Sequence, residues 1–72
     1  MKINYYPETD SLYIELSEKS SVDSREIADS IVLDFDENGY LVGIDIDHAS
    51  KVVDLKKVES VSLPINSFSI VA

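Results

Sequence analysis

The dipeptide Asn38-Gly39 sits between the alternating runs Ile31-Val32-Leu33-Asp34-Phe35 and Tyr40-Leu41-Val42-Gly43-Ile44-Asp45-Ile46, and it constrains the chain more than any other feature. Asn-Gly is the pair favoured at the two φ > 0 positions of a type I′ turn, and such a turn joins antiparallel strands. A two-residue turn predicts Glu37 opposite Tyr40, hence Phe35 opposite Val42, Leu33 opposite Ile44 and Ile31 opposite Ile46. One face of the hairpin over residues 30 to 47 is then apolar and faces a core. On the reverse face Asp36 meets Leu41, Asp34 meets Gly43 and Val32 meets Asp45, so that face sees water or a ligand.

A second hairpin precedes it. Lys2 to Tyr6 and Leu12 to Ser17 alternate about Pro7-Glu8-Thr9-Asp10-Ser11, a cluster of turn-forming residues. Pairing Tyr5 with Leu12 sets Ile3 opposite Ile14 on one face, and Lys2 opposite Glu15 and Asn4 opposite Tyr13 on the other. Residues 18 to 29 are polar, with only Val22 and Ile27 as anchors, and read as a loop with a short edge strand near 24 to 28. After Ile46, Asp47-His48-Ala49-Ser50 reads as a helical turn. Asp54 is placed to cap a short helix over Leu55 to Ser60, with Leu55, Val58 and Val61 inward. Pro64 ends that pattern, and Ser67 to Val71 resumes a weak alternation that fits an extra strand. Phe68 and Ile70 in this tail would be exposed in a monomer, which points to a subunit interface. The fold class is therefore α+β, mostly β: a small antiparallel sheet of two hairpins with a short C-terminal helix and tail, in one domain over residues 1–72.

A chain of 72 residues buries only about 60% of the surface its unfolded form exposes. It has no cysteine and a single histidine, so neither a disulfide nor a zinc site staples the fold. Oligomerisation is the remaining staple, and a homo-oligomer, with a dimer favoured, is expected. No apolar run reaches membrane-spanning length, and the N-terminus lacks a signal-peptide core, so a cytoplasmic location without membrane attachment is expected. Six basic residues against fourteen acidic ones give a net charge of -8. Between residues 20 and 50 eight carboxylates face only Arg25. Such a surface repels a phosphate backbone, which argues against nucleic acid. It attracts a basic protein or a divalent cation.

Three separated stretches resemble one family. Tyr5-Tyr6-Pro7-Glu8-Thr9-Asp10-Ser11-Leu12-Tyr13-Ile14-Glu15-Leu16, then Asp34-Phe35-Asp36-Glu37-Asn38-Gly39, then Val42-Gly43-Ile44-Asp45-Ile46 through Ala49-Ser50, are similar to the YuzE-like small proteins, a domain of unknown function. The resemblance covers residues 1 to 55 and leaves 56–72 as a tail segment outside it. It implies a small prokaryotic cytoplasmic protein built on a sheet of hairpins, and it brings no activity, cofactor or catalytic residue. Relatives encoded beside small toxin-like proteins imply an accessory or antitoxin-like role.

The candidate chemistry centres on Asp34-x-Asp36-x-Asn38-Gly39 followed by Asp45, which has the spacing of an EF-hand calcium loop with Asp in place of the final Glu. An EF-hand needs flanking helices, whereas these flanks alternate with period two. A weaker, non-EF cation site on Asp34, Asp36 and Asp45 is the alternative to a solvated turn. Paired carboxylates can also serve as acid and base, but the chain shows no nucleophile elbow, no phosphate-cradling glycine loop and no second histidine. His48 reads as a surface or capping residue. Tyr5 and Tyr40 fall on the apolar faces and read as core, while Tyr6 and Tyr13 fall on the opposite face, where tyrosine also anchors interfaces. The expectation is a non-catalytic acidic interaction module without a cofactor, directed at a basic protein partner. The first alternative is a divalent-cation-binding protein, and the second a small enzyme.

Overall fold

The computed structural model describes residues 1–64 and 70–71. The first hairpin pairs β1 (Lys2–Tyr6) with β2 (Ser11–Glu15). Its register is the expected one: Lys2 with Glu15, Ile3 with Ile14, Asn4 with Tyr13 and Tyr5 with Leu12. Pro7, whose ring presets the φ of a turn's second position, starts the connection, and the Thr9 amide donates to the Tyr6 carbonyl at 3.3 Å. Asp10 closes it at φ 54, a left-handed conformation that Asp tolerates better than most residues.

β3 (Asp23–Ala28) is the edge strand expected near 24 to 28. It joins β4 (Ile31–Phe35) through Asp29-Ser30, with Ser30 at φ 70. The expected anchors of this region do not reach a core. Val22 is 65% and Ile27 59% exposed, and Ile27 is skipped where the register shifts between Glu26 and Ala28, as a bulge at a sheet edge does.

β5 (Leu41–Ile46) pairs with β4 on one side and β2 on the other, so the two hairpins share one sheet. The order is β3-β4-β5-β2-β1, all antiparallel, and β6 (Ile70–Val71) adds a parallel pairing at the β1 edge. The tail thus extends its own chain's sheet at these two residues, while Phe68 lies outside the described residues.

The central hairpin is present, but its turn differs from the two-residue form. The Asp36 amide donates to the Tyr40 carbonyl at 2.9 Å and the Gly39 amide to the Asp36 carbonyl at 3.0 Å. Of the loop residues only Gly39 has positive φ, at 82. The loop is therefore three residues, Glu37-Asn38-Gly39, a type I turn followed by a left-handed glycine. The reason is Asp36: its Oδ1 accepts the Asn38 and Tyr40 amides, both at 2.9 Å, and Asp at the first position with Gly at the fourth is the type I pattern. Beyond the turn the pairs Ile31 with Ile46, Val32 with Asp45, Leu33 with Ile44 and Asp34 with Gly43 stand as expected. Nearest the turn, however, Phe35 faces Leu41 instead of Val42, and Asp36 does not pair with Leu41. Val42 becomes the extra residue, 3% exposed, and its carbonyl accepts the Leu16 amide at 2.8 Å. Tyr40, expected in the core, is 69% exposed.

One short helix, α1 (Ala49–Val52), lies after β5. Ala49 is fully buried beside Leu12 and Ile46, and Ile3, Tyr5, Ile44, Val53 and Leu55 pack around them. The helix expected over Leu55 to Ser60 is absent. Asp54 Oδ1 instead accepts the Lys56 amide at 3.1 Å, closing a turn. Leu55 alone of the expected apolar stripe packs on the core, for Val58 is 44% and Val61 79% exposed. Without a buried face, so short a segment cannot offset the cost of helix nucleation.

The two glycines are held to different requirements. A Cβ at Gly39 meets nothing, so Gly39→Ala should cost about 1 kcal/mol from the left-handed backbone alone. A Cβ at Gly43 would overlap the Tyr13 hydroxyl and ring, so Gly43→Ala should cost more, about 2 kcal/mol. Denaturant melts of both, with Tyr13→Ser added to each, should show coupling to Tyr13 at Gly43 and simple additivity at Gly39.

Candidate functional site: the acidic open face

The alternation that buries Leu12 and Ile46 turns Tyr13, Asp34, Gly43 and Asp45 to the opposite, uncovered face of the sheet. Gly43 is buried although it has no side chain of its own, because the Tyr13 ring lies across it. From there the Tyr13 hydroxyl donates to Asp34 Oδ2 at 2.9 Å, and Ser24 on β3 donates to Asp34 Oδ1 at 2.6 Å. Burial, and then the Asp34 carboxylate, push the Tyr13 phenol up to about 12, so it remains a donor at physiological pH. Asp45 is raised above the usual carboxylate range, first by burial and then by the negative charges of Asp47 and Asp34.

Arg25 does not neutralise this face. It pairs with Leu33 on the apolar side, stacks 4.9 Å from the Phe35 ring centre and sits 3.4 Å from Asp23. The described residues contain one other ion pair, Lys57 with Glu59 at 3.1 Å. Asp34 and Asp45 have no cationic partner among them.

The three carboxylates considered for a cation are divided between two settings. Asp34 and Asp45 share the open face, while Asp36 is drawn into the hairpin loop by the Asn38 and Tyr40 amides and is 5% exposed. Among the described residues no three His, Asp or Glu side chains are grouped to hold a metal ion. Of the expected interaction tyrosines, Tyr13 is committed to Asp34 and Tyr6 is 46% exposed. Ile70 falls in β6.

His48 stands immediately before α1 at φ 52, with Nδ1 3.1 Å from the Ser30 hydroxyl. It holds the N-cap position, but its side chain turns to Ser30 and makes no capping hydrogen bond to the helix. The polar centre that the sequence did not disclose is Asp10. Its Oδ1 accepts the Tyr5 hydroxyl at 2.7 Å, its Oδ2 accepts the Ser50 hydroxyl at 2.7 Å, and its carbonyl accepts the Ala49 amide at 2.8 Å. These bonds hold its carboxyl below the usual range, Ser50 contributing most and Tyr5 next. The available signal was the resemblance itself, since Tyr5, Asp10, Ala49 and Ser50 all fall within the stretches that carry it.

Fold and site together define a small domain with one thin core and an uncovered acidic sheet face. The chain belongs to the family described as protein of unknown function DUF2283, matched over residues 2–50. It is also 39% identical over 59 residues to an uncharacterized protein, MJ0789, of the archaeon Methanocaldococcus jannaschii, covering 82% of this chain. The chain spans about half the length of that curated relative, 50% of it. No solved structure matches it at a significant level.

The two shifted carboxylates act on stability in opposite senses. Asp45 holds its proton more tightly folded than unfolded, so its contribution falls as pH rises from about 3.9 through its raised folded value. Asp45→Asn should therefore stabilise the domain at neutral pH, by removing a partly buried charge and its repulsion from Asp47 and Asp34, and give no gain at acid pH. Asp10 is held low, so its contribution is present above about 3.9 and is lost as pH falls through its folded value. Asp10→Asn should lower the urea midpoint at pH 7 and lessen its decline in acid. Urea melts from pH 3 to 8 check both.

Proposed function

We propose that this domain is a small acidic module that acts by binding rather than by catalysis, presenting the Tyr13–Asp34–Asp45 face to a basic protein partner. The observation that carries this reading is the lack of a cationic partner for Asp34 and Asp45 among the described residues, while Arg25 is held on the other side of the sheet. Holding carboxylates together without a counter-charge costs folding free energy, and a partner's lysines or arginines would recover it on contact. Tyr13, fixed flat across Gly43, adds a rigid aromatic contact at low entropic cost.

Self-association belongs to the same reading. Among the described residues the buried apolar set is only Leu12, Val42, Ile46 and Ala49, and no side chain as large as leucine is completely buried. A core this small fits a domain that gains further burial from a second copy or a partner.

Affinity capture from the native cell by the tagged chain should retain a basic protein, with retention falling steeply between 0.1 and 0.5 M salt, as screened charge contacts do. Asp34→Asn with Asp45→Asn should reduce it at least tenfold, while the exposed variant Glu8→Gln leaves it unchanged. Retention that ignores both salt and the double substitution would refute the reading. Heat on titration with calcium, magnesium or manganese at millimolar ion, lost in the same double variant, would favour a cation-binding role instead.

A further inference from the structure

The side of the sheet opposite the acidic face is apolar up to its β3 margin. Cross-strand pairing lines up Ile3, Ile14, Ile44, Leu33 and Arg25 in one row over β1, β2, β5, β4 and β3. The segment after β5 covers one part of this surface, where Ala49 seats against Leu12 and Ile46, with Val53 and Leu55 packed nearby. Ile14, Ile31, Leu33 and Phe35 stand outside that packed group and are only half-buried, although β2 and β4 are interior strands. An apolar side chain in the middle of a sheet gains its burial from a second layer, and among the described residues α1 is the only element outside the sheet. β6 extends the β1 edge in the plane of the sheet, at the far end from β3 and β4.

Charge and area choose the occupant. Glu15, Glu26, Asp34 and Asp45 fall on the acidic face against Lys2 alone, whereas the strands carry only Asp23 and Arg25 as charged groups on the apolar side, paired with each other at 3.4 Å. A basic partner finds no free carboxylate there. A second copy of this chain can approach with no net charge opposed and with both acidic faces turned outward. Five strands about 4.8 Å apart and about 17 Å long span roughly 20 by 17 Å before side chains extend the rim. Val52, Val58 and Leu63, each nearly half exposed, add apolar surface on the covering segment. Stacking two copies would bury on the order of 1,000 Å² in total, the size at which specific interfaces begin. We propose that the domain pairs with a second copy of itself through this face, as a two-layer sandwich about a two-fold axis with the sheets about 10 Å apart. The inference rests on the self-association argued above and gives it a surface; it does not depend on the basic partner. Ile14, Leu33 and Ile44 form the dry centre. Phe35, with the Arg25 guanidinium 4.9 Å from its ring centre, forms a margin of the residue types enriched in such interfaces.

Sedimentation and methyl NMR of the full chain test this. At about 0.5 mM the chain should be a dimer that persists in about 0.5 M salt, because an apolar contact is not screened. In a mixture of differently labelled copies, Overhauser contacts between copies should join the methyls of Ile14, Leu33 and Ile44. Leu33→Lys should weaken dimerisation at least tenfold, while Val32→Lys, the same change on the acidic face, should leave it unchanged. Arg25→Glu, at an exposed position outside the core, sets like charges across the margin and should also weaken it at least tenfold, whether or not Leu33→Lys folds. A folded monomer at that concentration, contacts between copies confined to other surfaces, or a dimer indifferent to Arg25→Glu and to a folded Leu33→Lys would overturn the proposal. A monomer in which methyls beyond Pro64 touch Ile14 and Leu33 would overturn it by giving the face to the chain's own tail. Any of these results leaves the basic-partner reading standing. A dimer dispersed by salt and by Val32→Lys, but not by Leu33→Lys, would place the contact on the acidic face and overturn both.

Discussion

The carboxylate of Asp10 joins the first hairpin to the short helix that follows β5. It lies in the turn of the first hairpin, yet its oxygens take the hydroxyls of Tyr5 on β1 and Ser50 on α1, and its carbonyl takes the Ala49 amide. The helix it anchors spans only four residues, Ala49–Val52, far too few to be stable alone. That helix nevertheless delivers Ala49, the one fully buried residue of the core, against Leu12 and Ile46. Side-chain bonds over a separation of 40 residues thus do what a longer amphipathic helix does by apolar area. Smaller bonds reinforce the arrangement: Ser11 to Asp47 at 3.3 Å, Ser30 with His48 at 3.1 Å, and the Asp47 amide to the Ser30 carbonyl at 2.8 Å. His48, in the left-handed conformation between these contacts, turns the chain from β5 into the helix.

Period-two patterns were legible because each strand buries one face. The register of β1 on β2 follows from placing Ile3, Tyr5, Leu12 and Ile14 together, and no other register satisfies both faces. The central hairpin was legible in existence and in its far register, and misread at its tip. Asn-Gly points to a two-residue turn only if the preceding residues are indifferent. Asp36 is not indifferent, because its side chain can reach the loop amides, and Asp36-Glu37-Asn38-Gly39 is equally a type I turn closed by glycine. The choice took Val42 out of its pairing with Phe35, moved Tyr40 outward and drew Asp36 into the loop. The Asp10 latch could not be read from any local pattern, since it joins residues far apart in sequence through side chains that look like ordinary turn residues.

The same competition decides what the acidic residues can do. Asp34 and Asp36 share a sequence motif with calcium loops, but the motif's spacing acquires meaning only when the backbone wraps the carboxylates around one point. Here the strand sends Asp34 to the open face and the turn draws Asp36 toward the loop end. A spacing that would converge in a helix-flanked loop diverges on a hairpin. What remains is an open sheet face that carries Asp34 and Asp45 and, apart from it, a loop end that holds Asp36.

The thin core and the charged exterior are connected. A domain with so few buried apolar residues has little stability in reserve, and a net charge of -8 on 72 residues works against compaction. Arg25 does not lower this cost at the open face, because it lies on the apolar side, where the guanidinium rests on Phe35 and beside Asp23. Moving Arg25 across to Asp34 and Asp45 would relieve the open face but would uncover Phe35 and require β3 to shift by one residue, inverting every side chain of that strand. The register of β3 on β4 therefore fixes the electrostatics as well as the edge of the sheet. It keeps the chain's single arginine away from Asp34 and Asp45, so their side of the sheet keeps its negative charge.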